Sequence, residues 1–253
     1  MNISISETKL DCGQFAALAG ASKIRQAIAR RGTASIILAT GLSQIEMLAA
    51  LVRADIDWSV VEVFHLDEYA GIPETHSASF RKYLKDNFVS KVPRLKAFHA
   101  IAGDASDLSV EVKRLGDVIS KATIDVAFVG IGENGHLAFN DPPADFENEQ
   151  PYLIVKLDQA CRQQQVNEGW FPSVEATPDR AISMSVRQIL KSRCIINTVP
   201  DERKAKAVAA CLGGEVSPLH PASILQLHPE CYTFLDTASA SLLFGRTSRG
   251  GGQ

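Results

Sequence analysis

Short apolar segments alternate with amphipathic segments along most of this chain. The segments that we predict as strands are apolar or rich in β-branched residues and end in polar or glycine-containing turns. They are 34–39, 60–66, 125–130, 194–199 and 232–235. Apolar residues recur at helical spacing in the segments 45–52, 80–88, 108–119 and 205–212. Strands without a polar face, alternating with helices, predict a parallel sheet that is covered on both sides.

We therefore expect an α/β fold with an open, mostly parallel, Rossmann-like sheet and helices on both faces. No internal repeat or linker divides the 253 residues, so a single domain over 1–245 is the simplest prediction. The region 141–180 has poor periodicity and many Pro, Glu, Gln and Asp residues, which predicts an ordered excursion or a lid over a site. The polar, glycine-rich end, 246–253, predicts a disordered tail.

Composition excludes several classes of partner. Lys and Arg total 26 against 29 for Asp and Glu, so no basic excess is present to neutralise nucleic acid. No apolar run is long enough to span a membrane, and the N-terminus lacks the pattern of a secretory signal. Five cysteines are scattered singly, which predicts reduced thiols and a cytoplasmic location. We expect a small-molecule ligand, and the sequence is compatible with a homo-oligomer.

Two predicted strand ends carry features that suit a phosphate. The turn Thr40-Gly41-Leu42-Ser43 can present backbone N–H groups at a helix N-terminus, although an ordinary helix cap explains it equally well. Lys204 falls in the first turn of a predicted helix, where a cation opposes the helix dipole unless an anion is bound. A surface lysine is the alternative interpretation.

The acids at the end of the second predicted strand are candidates for proton transfer. Asp67 and Glu68 are adjacent, so their side chains should face different directions, and one of them can point into a cleft. A partly desolvated carboxylate there suits a general base, whereas solvated loop acids are the common alternative. His65 and His76 lie nearby, but no compact metal-ligand spacing occurs, and we predict no metal site.

The segment Gly130–Gly135 matches the GxGxxG pattern of dinucleotide sites after a strand. Its mid-chain position and Pro142–Pro143, which would interrupt the required helix, argue against that use. The glycines more simply allow the backbone to approach a ligand beside His136. An imidazole titrates near neutral pH, and Asn134 and Asp141 flank this one. A histidine fixed structurally in a turn is the alternative.

Taken together, these motifs resemble the glucosamine-6-phosphate deaminase/isomerase family, whose relatives include the 6-phosphogluconolactonases. The segments that carry the resemblance are Leu66–Pro73 with His76, Gly130–Pro142 and Ile224–Pro229. The lactonases usually have Asp-Glu-Arg at the first of these and a DGHTAS-type sequence at the second. This chain has Asp67-Glu68-Tyr69 and Gly135-His-Leu-Ala-Phe-Asn140, and so resembles the deaminase branch.

The resemblance implies conversion of a 2-amino sugar 6-phosphate into fructose 6-phosphate and ammonia, without metal or organic cofactor. It implies that His136 assists ring opening, beside Asn134 and Asp141, and that Asp67 moves a proton from C2 towards C1. The residues expected to bind the substrate are Thr40, Gly41, Ser43, Glu68, Gly132, Arg162 and Lys204.

Two positions depart from the common deaminase pattern. Asn134 stands where many deaminases carry an aspartate, and Asp141 stands where they carry a glutamate. Either Asp141 alone supplies the carboxylate that His136 needs, or the substrate or reaction differs. The alternatives are a galactosamine-6-phosphate isomerase, a lactonase-type hydrolase in which His136 activates water, and a non-catalytic sugar-phosphate sensor.

Overall fold

The computed structural model describes residues 1–243 and is built on a seven-stranded parallel sheet. The order across the sheet is β1-β10-β9-β6-β2-β3-β5. Its strands are β1 (Asn2–Ser6), β2 (Ala34–Leu38), β3 (Val61–His65), β5 (Ala97–His99), β6 (Val126–Val129), β9 (Cys194–Val199) and β10 (Cys231–Asp236). The central strands β6 and β9 are buried along their whole length, as expected for a sheet with both faces covered.

Helices pack on both faces of this sheet, which separates two large apolar clusters, and a third, smaller cluster surrounds Tyr69 and Phe80. The helices are α1 (Lys9–Arg31), α2 (Ile45–Leu51), α3 (Phe80–Asn87), α4 (Leu108–Ile119), α5 (Gln159–Asn167), α6 (Val186–Leu190) and α7 (Ala205–Gly213). The longest, α1, begins at the N-cap Thr8 and ends at Gly32, which has φ +78°. Gly20 lets α1 approach the sheet, since a Cβ there would lie 2.2 Å from the Phe128 ring.

A second, three-stranded antiparallel sheet flanks the carboxyl edge of the first. It has the order β4-β8-β7, with β4 at Asp67–Tyr69, β7 at Tyr152–Lys156 and β8 at Arg180–Met184. Only Leu66 separates β3 from β4, so the chain passes directly from one sheet into the other. The region 141–180 supplies β7 and α5 to this flank, which makes it an ordered excursion.

The predicted fold class is confirmed: the main sheet is parallel, with helices on both faces. Strands β1 and β5 and the antiparallel sheet were not predicted, because these strands are short or half exposed and their apolar pattern is weak. The predicted tail, 246–253, lies outside the described residues.

Two composition-based expectations can be compared with the structure. All five cysteines are free thiols, as predicted. Within residues 1–243, no helix has both the length and the apolar character needed to cross a membrane.

Candidate active site

Four strand ends of the main sheet meet at one cleft. The residues that follow β2, β3, β6 and β9 line it, as expected at the carboxyl edge of a parallel sheet. They include Thr40–Ser43, Asp67, Gly132, His136 and Lys204. The structure thus brings together predicted site residues from four separate parts of the chain. No helix directly follows β6 as far as β7, so the GxGxxG segment does not form a dinucleotide-binding turn.

Asp67 lies at the point where the chain leaves the main sheet for the antiparallel one. Its side chain lines the cleft, yet the residue is only 6% exposed, and its Oδ1 has no hydrogen-bond partner among the described residues. Burial, and secondarily the neighbouring Glu68, raises the pKa of Asp67 from 3.8 to about 8. The side chain therefore holds a proton at neutral pH in the free protein and loses it readily when a cation comes near.

Glu68 faces away from Asp67, as the alternation of a strand requires. Its carboxylate accepts hydrogen bonds of 2.7–3.0 Å from the Ser79 hydroxyl and from the N–H groups of Tyr69, Phe80 and Arg81. It thereby ties β4 to the start of α3, and it is not among the cleft residues. The structure does not bring Glu68 to the position expected of a substrate-binding residue, because its oxygens are occupied by the fold.

The His136 ring is held between Gly132 and Asp141. A Cβ at Gly132 would lie 2.3 Å from Cε1 and Nε2 of the ring, so only glycine allows the ring to lie there. On the other side, Nδ1 lies 3.3 Å from Asp141 Oδ1. The glycine therefore makes room for the His136 ring, whereas the sequence predicted a close approach of the backbone to a ligand beside His136.

Asn134 connects the histidine loop to two carboxylates. Its Oδ1 accepts from the His136 N–H at 3.0 Å, and its Nδ2 donates to Asp141 Oδ1 at 3.0 Å and to Asp158 Oδ2 at 3.3 Å. Burial alone would raise the pKa of Asp141, but the contacts with His136, Asp158 N–H and Asn134 outweigh it and lower that pKa. Asp141 is therefore a carboxylate beside His136, and Asn134 orients it without adding charge.

Lys204 is a buried cation without a counter-ion. It is 4% exposed, and its ammonium makes no hydrogen bond or ion pair with any described residue. Burial is the main factor that lowers its pKa, with an opposing effect from Glu168 and Glu133. Its neighbour Arg203 is more exposed and pairs with Asp201 at 3.1 Å. A buried, unpaired ammonium in a cleft favours binding of an anion.

The loop after β2 faces the same part of the cleft. Gly41 has φ +98° and starts a one-turn 3-10 helix over Leu42–Gln44. The Tyr83 hydroxyl fixes the loop by donating to Gly41 O at 2.9 Å. Thr40 and Ser43 therefore contribute hydroxyl groups, and the turn contributes backbone N–H groups, to the cleft that Lys204 also lines.

Arg162, which was predicted to bind the substrate, does not reach the cleft. Its guanidinium donates to the carbonyl groups of Val174 and Thr177, the latter at 3.0 Å, and Arg162 does not line the cleft. Gln165, one helical turn further along α5, and Glu168 do line the cleft. The carbonyl partners of Arg162 draw its guanidinium to the 174–177 segment, which it holds in place.

Three cleft residues on or just after α5 were not predicted: Gln164, Gln165 and Glu168. Gln165 is fixed by the Tyr69 hydroxyl, which donates to its Oε1 at 2.6 Å. Glu168 accepts from Gln164 Nε2 at 2.8 Å and from Trp170 Nε1 at 3.1 Å. The sequence carries one signal for the helix that holds them, the N-cap residue Asp158, but the polar segment after it has too few apolar residues to predict a helix.

Comparison with known proteins gives the family. The family model for glucosamine-6-phosphate isomerases/6-phosphogluconolactonase matches residues 8–233. This chain belongs to that family. The resemblance drawn from the sequence motifs is thereby confirmed.

Similar members of the family are deaminases by name. The glucosamine-6-phosphate deaminase of Oenococcus oeni is 34% identical over 243 residues, covering 96% of this chain and 99% of the relative. That of Streptococcus pneumoniae serotype 4 is 33% identical over 84% of this chain and 89% of the relative.

Solved structures agree with this assignment. A monomeric glucosamine-6-phosphate deaminase has a TM-score of 0.86 at 29% identity and covers 96% of this chain and all of its own. A putative 6-phosphogluconolactonase from Neisseria gonorrhoeae has a TM-score of 0.75 at 18% identity, over 93% of this chain and 99% of its own. The second match shows a shared fold.

Proposed function

We propose that this chain catalyses the deamination of glucosamine 6-phosphate to fructose 6-phosphate and ammonia. One observation carries the proposal: a single cleft holds an unpaired buried cation, Lys204, together with an unpaired carboxyl group, Asp67, and a histidine–carboxylate pair. An anionic group and a proton-transfer centre on one small molecule fit such a cleft. The names of the similar deaminases support the choice of substrate.

The phosphate group binds at Lys204 and the Thr40–Ser43 loop. The ammonium supplies the charge, while the hydroxyl groups and the N–H groups of the turn supply directed hydrogen bonds. Because the phosphate is remote from the reacting carbons, its binding energy positions the sugar chain over the other end of the cleft.

His136 opens the sugar ring. The Nε2 edge of its imidazole lies over Gly132 at the cleft, and Nδ1 faces Asp141. When the imidazole takes up a proton from the sugar, the Asp141 carboxylate stabilises the imidazolium that forms. Asn134 fixes the Asp141 carboxylate and the loop N–H. A single carboxylate therefore serves this step, in agreement with the first of the two alternatives left open by the sequence.

Asp67 then transfers a proton from C2 to C1. The C2–H becomes acidic only once C1 is a carbonyl, so ring opening precedes this step. The raised pKa of Asp67 favours an amino sugar, because a 2-ammonium group near the carboxyl lowers its pKa and helps form the base. The resulting enolamine takes a proton at C1, and the ketimine so formed reacts with water to release ammonia. A lactone lacks that ammonium group and would leave Asp67 protonated.

The test is ammonia release from glucosamine 6-phosphate and galactosamine 6-phosphate, with acid production from 6-phosphogluconolactone assayed in parallel. We expect ammonia from glucosamine 6-phosphate and no acid from the lactone. A folded protein that releases no ammonia from either amino sugar refutes the proposal. Acid from the lactone alone would establish the hydrolase, and binding without any turnover would establish the sensor.

The free thiols of the chain support a further part of the proposal, a cytoplasmic location. The predicted association of identical copies would show in sedimentation as a mass above that of one chain.

A further inference from the structure

One group of three potential metal ligands occurs among the described residues, and it includes His136. The ring of His136, the carboxylate of Asp141 and the thiol of Cys161 each offer an atom within 4.8 Å of the others. We propose that this group binds a borderline-soft divalent cation such as Zn²⁺, and that the bound metal inhibits the enzyme. The inhibitory part rests on the proposed function, whereas the binding part does not.

The donor set fits zinc. Nitrogen, oxygen and sulfur donors are its usual protein ligands, at about 2.0–2.3 Å from the ion. Two ligand atoms at a tetrahedral angle on one ion are then about 3.3–3.6 Å apart. The pair of His136 Nδ1 and Asp141 Oδ1 already lies at 3.3 Å, and the Cys161 Sγ, within 4.8 Å of both, has to move inward to complete the site.

The His136 side chain has an uncommitted donor atom in this group. The residue is 9% exposed, and its buried Nδ1 makes no hydrogen bond to any described residue despite lying near Asp141. Metal-binding imidazoles use such a nitrogen in the neutral form. Nδ1 lies beside a carboxylate and a thiol, so a cation that displaces the Nδ1 proton gains three donor atoms at once.

The electrostatic surroundings also favour a cation. The carboxylate of Asp141 lies within 4.8 Å of the Cys161 thiol, and the Asp158 carboxylate lies on the other side of Asn134. Asn134, which is neutral, bridges the two carboxylates, and neither forms an ion pair with Lys or Arg in residues 1–243. A divalent ion neutralises this negative potential, and on binding it displaces the thiol proton into water.

The position of the group predicts the consequence for activity. A metal on Nδ1 leaves the other ring nitrogen, Nε2, carrying the proton, so the ring no longer accepts one from the sugar. It also removes Asp141 from its role beside His136. Asp141 lines a surface depression outside the substrate cleft, together with Pro142, Pro143 and Asp158, so its carboxylate can be reached from that side.

Cobalt(II) provides a test of binding that does not depend on activity. Protein freed of metal by a chelator is titrated with Co²⁺, and the thiolate-to-cobalt absorption band in the near ultraviolet is followed. We expect one ion per chain and displacement by Zn²⁺. Loss of an outer partner alone weakens zinc sites about 10- to 100-fold, so Cys161→Ala should abolish the band and weaken binding by more than about tenfold.

Cys231→Ala is the matched control, since Cys231 is also fully buried but lies in β10, outside the group. It should retain the band. Asp141→Asn provides a second variant in case Cys161→Ala does not fold, and it should weaken Co²⁺ binding. No thiolate band in the unmodified protein, or the same band in Cys161→Ala, overturns the proposal.

Inhibition is measured as the ratio of ammonia release with and without Zn²⁺ for each variant. The unmodified protein and Cys231→Ala should be inhibited, and Cys161→Ala should require more than about tenfold more zinc. Equal inhibition of the unmodified protein and Cys161→Ala contradicts the inhibitory role. A protein that binds Co²⁺ through Cys161 but releases no ammonia would refute the proposed function and leave the metal site established.

Discussion

The two ends of the cleft differ in how their charged groups are held. At the histidine end, Asp141 is fixed by Asn134 and the Asp158 N–H, beside His136. At the other end, the Lys204 ammonium has no partner among residues 1–243, although the residue is buried. One end is therefore complete within the protein, and the other is completed by an anionic ligand.

This difference separates preorganisation from recognition. Groups that exchange protons with a sugar need fixed positions, and the hydrogen bonds around Asp141 supply them. A cation that binds the anionic group of a ligand gains from having no protein partner, because the ligand then provides the whole compensation for its burial. Asp67 combines both properties, since it is held by β4 but has a free oxygen.

The largest expected effect comes from removing the carboxyl group at the reacting end. Asp67→Asn should lower turnover by about 10²–10⁴-fold, the usual contribution of a general base. Binding of glucosamine 6-phosphate, measured by calorimetry, should change little because Lys204 is intact. A variant that retains turnover would remove Asp67 from the mechanism.

At the Lys204 end of the cleft, a substitution should mainly change substrate affinity. Lys204→Met should raise KM by about 10- to 150-fold, the cost of a hydrogen bond to a charged group, with a smaller change in kcat. Lys206→Met is the control, because Lys206 lies two residues further along, in the first turn of α7, and is exposed. Equal effects of the two substitutions would mean that general charge, not the buried site, binds the phosphate.

Glu168 tests the comparison of the two ends further, because it places a negative charge near Lys204. Its carboxylate lines the cleft with Lys204 and should repel a phosphate. Glu168→Gln should therefore lower KM by about two- to fivefold at low salt, the size of a partly exposed charge interaction, and less at high salt. Glu175→Gln, an exposed change, should leave KM unaltered. A raised KM for Glu168→Gln would show that its carboxylate contacts the sugar.

The smallest effect concerns stability and tests the raised pKa of Asp67. The folded protein keeps the proton up to about pH 8, whereas the unfolded chain loses it near pH 4, so stability falls as pH rises through this window. Asp67→Asn removes that loss. Its gain in Tm should be larger at about pH 8.5 than at about pH 4.5, by at least about 2 °C. An equal gain at both values would place the pKa of Asp67 near its ordinary value.

Glu68→Gln provides the contrast within the same strand. It replaces a carboxylate oxygen that accepts hydrogen bonds from backbone N–H groups by an amide NH₂ group, which cannot accept them. This should cost about 1–3 kcal/mol of unfolding free energy. Thermal unfolding should show a lower Tm, while kcat per folded molecule should change less than in Asp67→Asn. Unchanged stability would mean that Glu68 is not held by the fold.

The sequence predicted the parts of this molecule whose patterns are local and strong. Buried strands such as β6 and β9 are apolar throughout, and the site residues follow such strands directly, so both the fold class and the cleft edge could be derived. The opposite directions of Asp67 and Glu68 followed from strand alternation alone. The antiparallel sheet was missed because β4 has three residues and pairs with β8 far along the chain.

The parts of the candidate site that were not predicted depend on contacts between residues far apart in the sequence. Arg162 and Glu168 lie on the same short polar segment, but only Glu168 lines the cleft, because Arg162 is bonded to carbonyl groups of the 174–177 segment. Gln165 is fixed in the cleft by Tyr69, which is distant in sequence and meets it only in the folded chain. Likewise, nothing local to Cys161 indicates its approach to His136 and Asp141.

The central claim is that one carboxyl group, Asp67, carries the proton to C1 from one face of a sugar held by Lys204. The most direct measurement is turnover of glucosamine 6-phosphate in D₂O, with deuterium at C1 of fructose 6-phosphate assigned by NMR. Deuterium enters when the proton on the Asp67 carboxyl exchanges with D₂O before its transfer to C1. We therefore predict deuterium at only one of the two C1 hydrogen positions, formed at least about 100-fold more slowly by Asp67→Asn. Equal labelling of both positions, or undiminished labelling by Asp67→Asn, would contradict it.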